Sequence, residues 1–323
     1  MIRLGSRRSP LALVQARAVA AALTAAGHEV RIVEVVTTGD RDRAAPDKAK
    51  WVNELERGLL AGEIDLAVHS AKDVPGELPE GLALIASSAR EDPRDVLVGA
   101  PSLDALAAGA RVGTASLRRA AQLRAARGDL RVVEVRGNVD TRLARIARSG
   151  AEPDPARPPV DAIVLAAAGL RRLGRTPDAV APLEGPAFVP APGQGILTLE
   201  ARADDAAVAA AVAGYDDPAT GRLLRAERAL ARALGADCTS AVGAHARSRP
   251  DGAGLTLRGF VGAPDGSGWA VDEQAGDDPE ALGALVAERL RRAGADELLA
   301  AARAQAPPAL RAAAERHPRE DPS

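Results

Sequence analysis

The stretch His69-Ser70-Ala71-Lys72-Asp73-Val74-Pro75 sets a lysine beside an aspartate, directly after the apolar run at 64–68. An ammonium and a carboxylate delivered together at a strand end, on a loop that Pro75 stiffens, can hold an anion and steady a developing cation. The lysine is unusual for this chain. Of 42 Lys plus Arg residues, the lysines are Lys48, Lys50 and Lys72, and the rest are arginine. Four arginine clusters accompany the pair. They are Arg7-Arg8 between Ser6 and Ser9, Arg118-Arg119 after Thr114 and Ser116, Arg136 with Arg142 around Asn138, and Arg171-Arg172 after Gly169. Each falls where a strand gives way to a helix. At the first three, free helix N–H groups and the dipole already favour an anion. Guanidinium forks add bidentate recognition of carboxylates. A single cluster would read as a solvated helix face. Four at equivalent positions describe a cleft for a ligand with several carboxylates, and Asp73 is then a carboxylate standing among cations.

Other chemistry is sparse. Cys238 lies in a small-residue turn, Gly235 to Ser240, with no histidine near it in sequence, and Asp237 disfavours a thiolate there. On composition a lone cysteine is a small hydrophobe. The histidines at 28, 69, 245 and 317 show no metal-ligand spacing, so no metal is expected. Gly193-Gln194-Gly195 permits close backbone approach but is no dinucleotide fingerprint, and there is no Walker A sequence.

The elements that would carry these residues alternate. Strands are expected at 2–5, 28–36 and 66–68, with helices at 11–25 and 51–60, a βαβ series implying a mainly parallel sheet. A second series starts near Glu91, with strands at 96–98, 111–113, 130–135 and 160–165 and helices at 116–127 and 139–148. The Pro- and Gly-rich segment 182–195 reads as a crossing back to the first series. The last third groups short strands at 241–247, 255–261 and 269–273 with helices at 220–234 and 281–293, a small α+β unit. The expected fold is α/β, with domains at 1–88 plus 195–214, 92–190 and 215–306, and a loose tail at 307–323.

At 323 residues the chain suits two or three such units. A net charge of −2 supplies no drive for counterion release, and 2% aromatic content no stacking platform, so nucleic-acid binding is disfavoured. One cysteine, no signal pattern before the first strand and no long apolar run point to a cytoplasmic protein away from membranes.

Taken together the motifs resemble the porphobilinogen deaminase (hydroxymethylbilane synthase) family. They are SRRSPLAL at 6–13, LAVHSAKDVP at 66–75, REDPRDVLV at 90–98, GTASLRR at 113–119, RGNVDTRL at 136–143, AAAGLRRLG at 166–174 and GADC at 235–238. The resemblance implies two periplasmic-binding-protein-like (type II) α/β domains and a small C-terminal α+β domain. It implies a transferase of tetrapyrrole, hence porphyrin and heme, biosynthesis that condenses porphobilinogen and releases ammonia. It also implies a dipyrromethane cofactor joined by a thioether to Cys238, which reverses the compositional reading of that residue. Asp73 matches the catalytic aspartate, holding pyrrole N–H groups and stabilising the cationic azafulvene left when ammonia departs. Lys72, Thr114, Ser116, Arg118 and Arg119 match cofactor-binding positions. Arg7, Ser9, Arg136, Arg142, Arg172, Gln194 and Lys48 match substrate-binding ones. The family is mostly monomeric. Two departures stand out: the loop at 41–50 is short and leads to Trp51, and Ala115 replaces a serine. A non-catalytic anion binder would share the paired lobes; the third domain with Cys238 favours the enzyme.

Overall fold

The computed structural model describes residues 1–36, 52–147, 158–237, 239–250, 252 and 254–306. The first sheet contains β1 (Ile2–Arg7), β2 (Val30–Val35), β3 (Leu66–Ser70), β4 (Leu82–Ser87) and β10 (Leu197–Arg202), in the order β2-β1-β3-β10-β4. The second contains β5 (Asp95–Val98), β6 (Arg111–Gly113), β7 (Arg131–Val133), β8 (Ala162–Ala166) and β9 (Val180–Pro182), in the order β7-β6-β8-β5-β9.

The two lobes share one topology. In each, the fourth place belongs to a strand that arrives from the other lobe and runs antiparallel to both neighbours. Four of the five strands in each sheet therefore run the same way, so each sheet is mainly parallel as expected, with this one strand reversed. The chain crosses at 88–94 and returns at 183–196, so both crossovers lie side by side between the lobes. Gly195 shows how tightly they pass: its φ is +91°, and a Cβ would sit 2.3 Å from the Glu91 carbonyl oxygen.

Local chemistry explains where the helices begin. Helix α1 (Pro10–Ala25) starts with Pro10 and is capped by Ser9, whose hydroxyl accepts the Ala12 N–H. Helix α2 (Asn53–Leu60) packs Leu55 and Leu59 against Ala67 of β3, on the opposite face of the first sheet from α1. In the second lobe α3 (Leu117–Ala126) is capped by Ser116, and the short α4 (Val139–Leu143) by Asn138. The helix expected at 139–148 stops at Leu143 because Ile146 enters a parallel bridge with Val160. Helix α5 (Ala167–Arg172) follows β8 directly, and α6 (Ala206–Val212) follows β10.

The third unit is an antiparallel meander of β11 (Val242–Ser248), β12 (Leu255–Gly262) and β13 (Trp269–Gly276). It is covered by α7 (Pro218–Ala233) and α8 (Pro279–Arg292), with α9 (Ala295–Gln305) beyond them. Its Leu230, Leu257, Val286 and Leu290 are completely enclosed. Gly283 lets α8 approach α7, since a Cβ there would meet that of Ala229 at 2.5 Å.

Candidate active site

The carboxyl ends of β1, β3, β6 and β7 point the functional side chains toward the space between the lobes, the place where open α/β sheets bind ligands. Past β3 the chain makes one tight turn, Ala71–Asp73, before Pro75. Arg7, Ser9, Gln15, Ser70 and Asp73 line one cavity there, and Gln15 Nε2 donates to Ser70 Oγ at 2.9 Å.

Beside it runs a buried polar network that joins both lobes. Lys72 Nζ donates to Gln194 Oε1 at 3.2 Å. The Gln194 amide in turn donates to the Pro93 carbonyl at 2.7 Å and to Asp95 Oδ1 at 2.9 Å. Asp95 accepts Arg118 Nη1 on Oδ2 at 2.7 Å, and Arg119 Nη2 and Nε on Oδ1 at 2.7 and 3.0 Å. Arg118 Nη1 also reaches the Val189 carbonyl, and Arg119 Nη1 that of Val164.

Asp95, Arg118 and Arg119 are only 5%, 5% and 7% exposed. Burial opposes ionisation of Asp95, yet the two guanidiniums hold its carboxyl well below the usual range. The same surroundings act on Lys72. Burial, reinforced by Arg119 and Arg118 and opposed by Asp73 and Asp95, brings its ammonium down to about 8. Arg142, whose Nε donates to the Gly137 carbonyl, is pushed down to about 10 by burial and by Arg119, with Asp73 acting the other way. Asp73 therefore stands within electrostatic reach of Lys72 and of Arg142, one from each lobe.

The structure assigns several expected ligand groups to internal partners. Arg118 and Arg119, read as free for an external carboxylate, are already bonded to Asp95. Gln194 has both amide atoms engaged and is 1% exposed, so it bridges the lobes rather than lining an open cleft. Arg136 pairs with Glu134 at 2.5 Å. Arg172 donates to the Gly195 carbonyl at 2.7 Å, on the return crossover. Ser116 serves as a helix cap, and Thr114 Oγ1 accepts the Ser116 N–H at 3.1 Å. Lys48, Trp51 and Cys238 lie outside the described residues. Asp237 Oδ1 accepts the Thr239 N–H at 2.8 Å and both the Thr239 and Ser240 hydroxyls.

Asp95 itself was not foreseen. Its signal was present in REDPRDVLV, where an aspartate opens an apolar strand whose remaining residues are all buried. Glu227 on α7 was also missed. Completely enclosed, it accepts Arg90 Nη1 at 2.6 Å from the outgoing crossover and the Gly193 N–H at 2.7 Å from the returning one. It also accepts the Ala246 N–H at 2.7 Å from β11. The third unit is thereby fastened to both crossovers. Among the described residues no group of histidine, cysteine and carboxylate side chains could hold a metal, and no helix is long and apolar enough to cross a membrane.

Fold and site together define a bilobal α/β protein whose strand ends gather lysine and arginine side chains between the lobes, with one acidic side chain, Asp73, within electrostatic reach of them. Comparison with known proteins narrows the class. Residues 2–210 match the family model described as porphobilinogen deaminase, dipyromethane cofactor binding domain, and residues 222–292 match the porphobilinogen deaminase C-terminal domain. The porphobilinogen deaminase of Rubrobacter xylanophilus is 46% identical over 304 residues, covering 92% of this chain and 95% of the relative. That of Stenotrophomonas maltophilia is 47% identical over 310 residues, covering 92% and 98%. Among solved structures, a nutrient binding protein from Burkholderia cenocepacia bound to methionine has a TM-score of 0.42 and 16% identity, covering 68% of this chain and 92% of its own. The chain belongs to the porphobilinogen deaminase family.

Proposed function

We propose that the chain condenses four porphobilinogen molecules head to tail into the linear tetrapyrrole hydroxymethylbilane, releasing ammonia at each step from a dipyrromethane primer tethered to Cys238. The observation that carries this reading is Asp73, a carboxylate set between Lys72 of one lobe and Arg142 of the other, at strand ends that converge on one cleft.

The donor set suits a dipyrromethane. Among the described residues, Arg118, Arg119 and Arg142 stand with Asp95 and Asp73 around the cleft, a cationic surrounding that ligand carboxylates would neutralise. Burying those carboxylates without such partners would be prohibitively costly. When bound, dipyrromethane supplies the pyrrole carbon to which each new unit is joined. Lys72 and the outward N–H groups of Arg118 hold its carboxylates, with the Thr114 and Ser116 hydroxyls as donors. Arg7, Ser9 and Arg142 receive the acetate and propionate of incoming porphobilinogen, and Arg136, Arg172, Gln194 and Lys48 are the further substrate-binding residues of this reading. Asp73 accepts the pyrrole N–H and stabilises the positive charge that grows on the substrate as ammonia leaves.

The domain division at 1–88 with 195–214, 92–190 and 215–306 is supported by the three sheets, and a cytoplasmic monomer suits the single cysteine and small-molecule substrate. The test is intact mass spectrometry of the purified protein. It should carry a two-pyrrole adduct that Cys238→Ser loses. Asp73→Asn should keep the adduct but lose roughly 10²–10³ in turnover, the usual cost of one charge-stabilising group. A fully active protein of unmodified mass would exclude the tethered primer, and near-normal turnover in Asp73→Asn would exclude the role of Asp73.

A further inference from the structure

On the face of the first sheet that α2 covers, three titratable side chains are enclosed, two of them in contact. His69 Nε2 lies 2.9 Å from Glu200 Oε2, and these residues are 5% and 0% exposed. Glu56, from the first turn of α2, is 6% exposed. Glu56 Oε1 and Glu200 Oε1 are both enclosed, and neither has a hydrogen-bond partner. Two buried carboxylate oxygens without donors are expensive, and a proton on one carboxyl relieves both the charge and the missing donor. The surroundings favour that proton. Burial, and then the charge of Glu200, raises the Glu56 carboxyl to about 7.

The other charged groups on the elements around α2 are committed elsewhere or face away. Arg3 on β1 pairs with Asp65 at 2.6 Å, and Arg202 on β10 with Asp205 at 2.6 Å. Arg7 on β1 lines the Asp73 cavity. Arg228 of α7, within electrostatic reach of Glu200, donates to the Pro75 and Gly76 carbonyls at 2.8 Å. Arg202 also donates to the Leu59 carbonyl of α2 at 2.8 Å. Among the described residues β2 adds Arg31 and Glu34, the latter paired with Arg8 at 3.3 Å, α2 carries Glu54 and Arg57, and β4 contributes no charged residue.

We propose that Glu56, buried on the same face of the first sheet as the hydrogen-bonded Glu200–His69 pair, carries the proton that keeps α2 fastened to β3 and thereby positions Asp73. His69 leads through Ser70 and Ala71 into the Lys72–Asp73 turn, so whatever steadies its ring steadies that turn. With the proton lost, two carboxylates face each other across the α2–β10 contact, and the end of β3 loosens. Glu56 and Glu200 are positioning residues behind the Asp73 cavity, which His69 itself lines. The catalytic readout rests on the proposed porphobilinogen condensation; the spectroscopic one does not, so the two can fail separately.

Infrared titration of the wild-type holoenzyme should show a protonated-carboxyl band that disappears with a midpoint near neutrality and is missing in Glu56→Gln. The amide of Glu56→Gln imitates the protonated acid. Its kcat, followed as porphobilinogen consumption, should persist to higher pH than in wild type, with an advantage of about tenfold one to two pH units above neutrality and an unchanged KM. Absence of the wild-type band, or coincident kcat profiles of the two proteins, would overturn the proposal. If Glu56→Gln does not fold, Glu200→Gln serves: removing that charge should move the band's midpoint down by about one unit, and an unmoved midpoint refutes the proposal.

Discussion

Replacing Asp95 by asparagine separates the energetics of the arginine pair from its ligand chemistry. In the unloaded protein Asp95 is the shared carboxylate of Arg118 and Arg119, within a region almost closed to water. Its carboxyl is depressed, so its contribution is fully present above the ordinary carboxylate range and lost only as pH falls through its lowered value. At neutral pH the substitution therefore removes the whole of it. Removing one partner of a buried ion pair leaves uncompensated charge and costs about 3–5 kcal/mol. At roughly 2–4 °C per kcal/mol, Tm should fall by about 10 °C.

In the loaded protein the cofactor carboxylates would supply the missing negative charge. Only the hydrogen-bond loss would then remain, about 1–2 kcal/mol. The assay is thermal unfolding of Asp95→Asn in two backgrounds, cofactor-bearing wild type and cofactor-free Cys238→Ala. The expected result is a drop at least twice as large in the cofactor-free background. Equal drops would mean that Arg118 and Arg119 do not meet the cofactor, and no drop in either would refute the burial argument itself.

Lys72 is held near 8, so its ammonium is charged below that pH and neutral above it. Non-covalent binding of a dipyrromethane bearing acetate and propionate side chains to Cys238→Ala, followed calorimetrically, should weaken as pH rises through this value; a flat profile would remove Lys72 from carboxylate binding. The Glu56 carboxyl is raised from 4.5 to about 7, so its favourable contribution is complete below the unfolded value and lost as pH rises through the folded one. Denaturant unfolding should find Glu56→Gln gaining on wild type across that window, by an amount on the order of 3 kcal/mol; a constant difference would show that Glu56 is ionised throughout. Gly195→Ala drives a Cβ into the Glu91 carbonyl at a positive φ. It should lower stability by about 2 kcal/mol or more and reduce turnover, and unchanged melting would mean the crossovers separate freely.

What the sequence reveals here is local. The strand-to-helix junctions that carry the arginine clusters and the loop between β3 and Pro75 were legible because each is written within a few neighbouring residues. Strands β4 and β10 were not. Thr198 and Glu200 lie in β10 with every position through Ala201 buried, so no alternating pattern marks it. The antiparallel fourth place in each sheet depends on pairing across more than a hundred residues in the first lobe and about seventy in the second. Asp95 escaped notice because its partners stand 23 and 24 residues away. The Glu200–His69 contact spans 131 residues and leaves no local trace. Recognising motifs identified the charged groups; only the fold shows which of them already neutralise one another.

The exchanged fourth strands also dictate an order of completion during synthesis. The second sheet uses residues 95–182, a continuous stretch, and can close as soon as β9 has left the ribosome. The first sheet cannot, although three of its strands emerge before residue 71. Strand β4 joins β3 only through β10, so until residue 202 appears the first lobe is an open edge with an unpaired strand trailing from it. At about 5–20 residues per second this exposed interval lasts on the order of ten seconds. The half of the protein that carries Asp73 is thus begun first and finished after its neighbour, with its nascent edge in need of protection while it waits.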